Sequence, residues 1–220
     1  LLCIQYTLIF ASVLLLVALG GCFSEHSGVI NIGLEGIMVI GALGGALVLK
    51  FISPESPAIV IILLAILASV AAGMIYSMHL AVAAINFKAD QTLAGTALNL
   101  LGTAAAVVIV RAINMAENPD NVSSTSSYID TKKAFLVRIG GFEFNWFMLV
   151  AFLVLVASYI VLYKTRFGLR LMACGEHPQA ADSVGINVYG MRCAGVLISG
   201  MLGGLGGIVY ITAGVRECKF

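Results

Sequence analysis

Residues 164–190, KTRFGLRLMACGEHPQAADSVGINVYG, are the stretch against which the rest of the chain is read. They gather Lys164, Arg166, Arg170, Glu176, His177 and Asp182 into one short run between segments that are strongly apolar. Pro178 suits the first position of a helix, where a missing N–H breaks no bond, and Gly185 suits a left-handed stop at its end. PQAADSV between them predicts about two helical turns, with Ala180, Ala181 and Val184 on one side and Asp182 and Ser183 nearer the other. A short helix with a small-residue face, held between two apolar segments, is either a docking surface or a structured loop without a partner.

The flanks decide where that helix sits. The chain has 220 residues, 60% hydrophobic and only 10% charged. Soluble domains carry about 25% charged residues, so this is a polytopic membrane protein. A formal net charge of +1 offers nothing to nucleic acid. The cysteines, Cys3, Cys22, Cys174, Cys193 and Cys218, have no paired spacing and read as small hydrophobes with free thiols. The first apolar run lacks a basic leader and a small-residue cleavage site, so it reads as a span.

A helix needs about 20 apolar residues to cross the hydrocarbon core. Six stretches fit: residues 4–20, 29–49, 58–85, 92–113, 146–163 and 193–213. The expected fold is an all-α polytopic transmembrane helix bundle, one domain over residues 1–220. The third stretch is long enough to tilt or to extend past the interface. Residues 114–145, with NPDNVSSTSS, form an extramembrane loop, and residues 164–190 form another. Alternating the spans puts the second loop on the side of the turns at residues 22–27 and 86–91. Lys and Arg counts tie between the two sides. The local density of Lys164, Arg166 and Arg170 argues for the cytoplasm. Phe144, Trp146 and Phe147 at one end and Tyr159 and Tyr163 at the other fit interfacial belts.

Two places inside the apolar runs carry polar groups. In SGVINIGLEGIMVIGALGG, residues 27–45, Gly28, Gly33 and Gly36 make the start of the second span easy to unwind, and Asn31 and Glu35 lie four apart on one expected helical face. A carboxylate in an apolar run costs about 2.5 kcal/mol or more on insertion scales, so it lines a polar path or pairs at the interface. Interrupted helices are also how transporters expose backbone groups at membrane depth. In the fourth span Thr92, Thr96, Asn99 and Thr103 recur at helical spacing, with Gln91 just before them. Such a stripe either faces a water-filled path or bonds a neighbouring helix. Uncharged hydroxyls and amides suit a neutral, hydroxyl-rich solute, and they suit ordinary packing as well. Gly200 and Gly204, Gly203 and Gly207, and Gly41 and Gly45 are small-residue pairs for close helix approach. No GxxxxGK[ST] loop, metal-spaced His/Cys cluster or nucleophile–base pair is present, so no cofactor or metal site is expected.

FGLRLMACGEHPQAADSVGIN resembles the cytoplasmic coupling segment of bacterial ABC-importer permeases. The superfamily in question moves branched-chain amino acids, simple sugars and nucleosides. Gly175, Glu176, Pro178, Ala180, Ala181, Gly185 and Ile186 carry the ATPase-coupling likeness. SGVINIGLEGIMVIGA, residues 27–42, resembles the nucleoside branch. The two motifs occur in the family's order and the likeness covers nearly the whole chain. It implies a non-enzymatic, multi-pass permease subunit of the bacterial cell membrane. Its implied partners are two ABC ATPase subunits that bind the ATP, a second permease subunit such as a paralogue, and an extracellular substrate-binding protein. It also implies that the coupling segment is inside, and that the 114–145 loop and the N-terminus are outside. The substrate pathway would then involve Asn31, Glu35, Thr92, Thr96 and Asn99. Import of ribose-like sugars or branched-chain amino acids, and, from another class, a secondary transporter or channel, stand as alternatives. The chain begins at Leu1 and ends in VRECKF, where family members continue into further membrane helices, so a fragment or frame-shifted product of a longer permease is expected.

Overall fold

The computed structural model describes residues 2–53, 57–126, 136–139, 142–214 and 218–219. Its helices are α1 Leu2–His26, α2 Leu34–Phe51, α3 Ala58–Ala81, α4 Gln91–Glu117, α5 Trp146–Lys164, α6 Arg166–Glu176, α7 Pro178–Ser183 and α8 Val188–Gly214. A π-helical turn, Val82–Asn86, extends α3. Short strands β1 Thr125–Ser126 and β4 Cys218–Lys219 pair antiparallel, as do β2 Leu136–Ile139 and β3 Phe142–Asn145. Among the described residues, five helices are long and apolar enough to cross a membrane. A sixth is reached when α5 is counted with α6, from which it is bent by 70°. The fold is the expected all-α polytopic bundle.

α8 is the most covered of the spans and lies against α1, α2 and α3. Glycines permit this. A Cβ on Gly41 would collide with the Cα of Gly204, and one on Gly73 would strike Gly200 O, so α2, α3 and α8 meet backbone to backbone. Ser69 Oγ donates to Gly204 O at 2.6 Å in the same place. Lipid tails are as apolar as leucine, so such contacts and hydrogen bonds stabilise the bundle where a hydrophobic drive is missing. One core cluster joins Leu16, Leu49, Ile61, Ala65, Ala151 and Ile208, and another joins Val29, Ile37, Tyr76, Leu80, Leu98 and Val196. Tyr76 Oη is satisfied by Leu98 O at 2.7 Å. His79 bonds the carbonyl of Tyr76 in its own helix at 3.1 Å and not a neighbouring helix.

The two ends of the bundle differ. At one end Lys50 Nζ pairs with Glu117 at 2.8 Å and donates to Asn114 Oδ1. Asn114 in turn holds Ser123 O and Thr125 O, so α4 runs on to Glu117 and the loop starts later than residue 114. At the other end α6 folds back under α1 and α5, burying Leu171 with Phe23 and Leu162. Tyr159 and Tyr163 are exposed there, with Tyr163 edge-on to His26. The side chains of Phe144, Trp146 and Phe147 lie outside those described, so that part of the expected belt is not placed.

Several boundaries differ from the sequence reading. α1 runs through Gly20 and Gly21 to His26, because these glycines are packing positions: a Cβ on Gly20 would lie 2.9 Å from Ser199 O. α8 starts at Val188 and not at residue 193, since Asn187 caps its first turn through Gly190 N at 2.9 Å. α6 was not anticipated as a helix. Its signal was Gly168, Leu171 and Cys174 at helical spacing, the three residues it buries.

Candidate functional site

The second span does not begin as a helix at residue 29. Gly28 turns the chain with φ +81°, and α2 forms only at Leu34, so residues 29–33 are irregular. Asn31 and Glu35 therefore do not share a helical face: Asn31 precedes the helix and is buried, and Glu35 sits exposed in its first turn. Within lipid, backbone polar groups need partners from the protein itself. Here α4 supplies them. Gln91 Oε1 accepts from Ile30 N at 2.8 Å. Asn99 Nδ2 donates to Ile32 O at 3.0 Å, and Asn99 Oδ1 accepts from Gly36 N at 2.8 Å. Ser24 Oγ donates to Val29 O at 2.7 Å, and Asn31 Nδ2 donates to Ser199 Oγ at 2.9 Å. Asn31 Oδ1 is buried and has no donor.

α4 can reach the break because the two helices nearly touch. A Cβ on Gly95 would lie 3.0 Å from Gly33 N, and one on Gly102 would lie 2.9 Å from Gly36 Cα. Further along, Leu43 clusters with Ala106 and Val110, so α2 and α4 run parallel. The line of α4 against α2 is Gly95, Leu98, Gly102, Ala106 and Val110. Thr96, Asn99 and Thr103 each lie one residue past that line, and Glu35 lies one residue before Gly36. Successive residues turn by about 100° on a right-handed helix. One step back on α2 and one step forward on the parallel α4 therefore face the same flank of their seam. The structure thus brings Glu35 to the side of the polar stripe. Thr96 and Thr103 bond carbonyls of their own helix, leaving Asn99 as the stripe's link to α2.

The second feature is α6–α7. Thr165 caps α6 by accepting from Gly168 N, and its Cys174 is fully buried. Burial pushes the Cys174 thiol up, with nearby Arg192 pulling the other way. α7 begins on Pro178 as expected and ends on Gly185 with φ +82°. Gly185 N bonds Asp182 O at 2.9 Å and Ile186 N bonds Ala181 O at 3.1 Å, the paired bonds of a glycine stop. The small face splits. Ala181 is 3% exposed and packs inward, whereas Ala180 and Val184 face out. Gly175 lies against the α1–α2 turn, where a Cβ would strike His26 O, and next to it Glu176 is exposed. At the same end Tyr189 Oη donates to Asn86 Oδ1 at 2.6 Å, tying the start of α8 to the π turn.

Among the described residues the helices are long and apolar enough to cross a membrane five or six times, the second span begins with an irregular segment, and a small helical device folds against one end. Residues 3–217 match the family described as branched-chain amino acid transport system / permease component. The chain belongs to this family. It is 45% identical over 210 residues to the guanosine ABC transporter permease protein NupQ of Bacillus subtilis, covering 93% of this chain and 65% of that protein. It is 40% identical over 210 residues to the nucleoside ABC transporter permease protein NupC of Lactococcus lactis, covering 94% of this chain and 66% of that protein. The chain thus spans just under two thirds of the length of these curated relatives. No solved structure matches it. The chain is a multi-pass membrane permease component of this family.

Proposed function

We propose that this chain is a transmembrane permease subunit of an ATP-driven importer of nucleosides. Separate ATPase subunits bind and hydrolyse ATP, a second permease subunit completes the pathway, and an extracellular binding protein delivers the solute. The end carrying α6 and α7 faces the cytoplasm, and the loop at residues 118–145 faces outward. The observation that carries the reading is that α7 presents Ala180 and Val184 outward on the end of the bundle where α2 is broken. A partner pressing on α7 reaches the break through the Tyr189–Asn86 bond, the backbone of residues 86–91 and the bond of Gln91 to Ile30. Alternating access then follows as a rigid-body shift of helices about the irregular residues 29–33. Gly175, Glu176, Pro178 and Ile186 hold or flank the docking helix, while Asn31, Glu35, Thr92, Thr96 and Asn99 border the path.

The test is ATPase dependence. Cells carrying the assembled transporter take up labelled guanosine, and uptake stops when the ATPase gene is removed or its P-loop lysine is replaced. Uptake that survives removal of the ATPase contradicts the reading and points to a secondary transporter or channel.

A further inference from the structure

The polar wall beside the α2 break is unbalanced in its hydrogen-bonding groups. Thr96 Oγ1 donates to Thr92 O and Leu93 O, and Thr103 Oγ1 donates to Asn99 O and Leu100 O. A hydroxyl has one hydrogen, so both threonines keep only lone pairs to offer. Asn99 spends its carbonyl oxygen and one amide hydrogen on α2. Glu35, on the same flank, is exposed and has no hydrogen bond or ion pair among the described residues. A carboxylate accepts and never donates. In the same break Asn31, 6% exposed, holds a buried Oδ1 with no donor. A Cβ placed on Gly33 would lie 3.4 Å from that oxygen and 3.5 Å from Gly95 O, so it lies beside the α2–α4 seam. Against the donors left on Gln91, Thr92 and Asn99, this flank sets the lone pairs of Thr96 and Thr103 and the two unpaired oxygens of Glu35, its one negative charge.

Such a wall selects by chemistry. A ligand that brings O–H groups satisfies it, and one that brings a carboxylate or phosphate does not. The first N–H groups of α2 would otherwise attract an anion, but Glu35 in the first turn already sets its own negative charge there. We infer that Glu35 is a specificity-determining residue of the pathway, whose two carboxylate oxygens accept hydrogen bonds from the vicinal hydroxyls of a neutral solute such as a ribonucleoside. The inference rests on the import reading above and adds the group that reads the sugar. A solute whose carboxylate comes to Glu35 is disfavoured by the same device, since the two charges are alike.

The experiment pairs a residue change with a ligand change in the assembled transporter. Maximal uptake rates are measured for guanosine and for 2′,3′-dideoxyguanosine, with the unaltered chain, Glu35→Gln and Glu35→Asp. Co-purification of the ATPase checks assembly of each. A charge-assisted hydrogen bond is worth roughly ten-fold or more in rate. Glu35→Gln is expected to slow guanosine about ten-fold and the dideoxy compound less than about two-fold, with Glu35→Asp recovering part of the guanosine rate. Equal losses for both compounds would assign Glu35 a structural role and overturn the inference, as would no loss for either. Absence of guanosine uptake by the unaltered complex is a different result: it would remove the nucleoside-import reading, and this inference with it.

Discussion

Tyr189 and Asn86, 103 positions apart in the chain, are joined by a hydrogen bond of 2.6 Å between their side chains. The bond links the first turn of α8, just past the α7 device, to the last residue of the π turn that ends α3. π turns are rare and often mark functional sites. The next residues lead through Lys88, at φ +50°, and the Asp90 cap into α4, whose Gln91 grips Ile30. The end of the chain that carries α7 is thus joined to the break in α2 by two hydrogen bonds, Tyr189–Asn86 and Gln91–Ile30, with the backbone of residues 86–91 between them.

Tyr189→Phe removes that link without opening a cavity, and both partners are exposed, so no buried group is orphaned. A net hydrogen bond is worth about 1 kcal/mol, so a several-fold loss of coupling, of order two- to ten-fold in transport per ATP hydrolysed, is expected. The measurement is the ratio of guanosine uptake to ATP hydrolysis in proteoliposomes. An unchanged ratio would show that the route is not used.

The meeting of α2, α3 and α8 predicts a sharp contrast among glycines. Gly204→Val sets a branched side chain against Gly41, Gly73 and Ser69, and overpacking of this kind costs about 1–3 kcal/mol or more. Gly21→Ala meets only Leu34 Cδ1 at 3.5 Å and replaces a poor helix former, so it is neutral or slightly stabilising. Thermal unfolding of the purified protein in detergent, followed by loss of monodisperse material, separates the two.

Asn99 and Thr96 look alike in the sequence and differ in the structure. Asn99→Leu leaves Ile32 O and Gly36 N without partners, for about 1–3 kcal/mol from two interhelical bonds. Thr96→Val loses only a bond within its own helix and leaves the bundle's stability within about 0.5 kcal/mol. The same unfolding assay reads both. Equal effects would mean that α4 does not hold the α2 break.

Orientation is open to chemical labelling once the right cysteine is chosen. Cys174 is fully buried, and burial raises its thiol, so it stays unreactive at neutral pH from either side. The probes are Val122→Cys and Gln179→Cys, both at exposed positions, in a chain whose exposed Cys3 and Cys22 are replaced by serine. An impermeant maleimide is expected to label Val122→Cys in intact cells and Gln179→Cys only after permeabilisation. The reverse pattern would invert the topology.

Five of the six expected spans were legible because hydrophobic length is a strong signal and needs no knowledge of partners, and the sixth counts only when α5 is taken together with α6. So were Pro178 and Gly185, since each acts through its own backbone geometry. The break in α2 was legible only as a tendency. Gly28, Gly33 and Gly36 permit unwinding, but what holds residues 29–33 is Gln91 and Asn99, more than sixty positions away in the chain. The shared face of Asn31 and Glu35 failed for that reason: a helical spacing was applied where no helix forms. Ala181 illustrates a second limit. Small residues on a short helix fit a partner or the protein's own body equally well, and only the fold tells Ala180, which faces out, from Ala181, which does not.

The central claim is that α7 receives a partner, and the outward pair Ala180 and Val184 tests it. Ala180→Arg places a long cationic side chain on that face without disturbing the buried Ala181 or the Gly185 stop. The measurement is guanosine-stimulated ATP hydrolysis by the purified transporter, together with the amount of ATPase that co-purifies. The account predicts that Ala180→Arg leaves the permease folded and inserted, and lowers stimulated hydrolysis at least ten-fold or releases the ATPase, an overpacking effect of about 1–3 kcal/mol at the contact. Normal hydrolysis with a full complement of ATPase would contradict it.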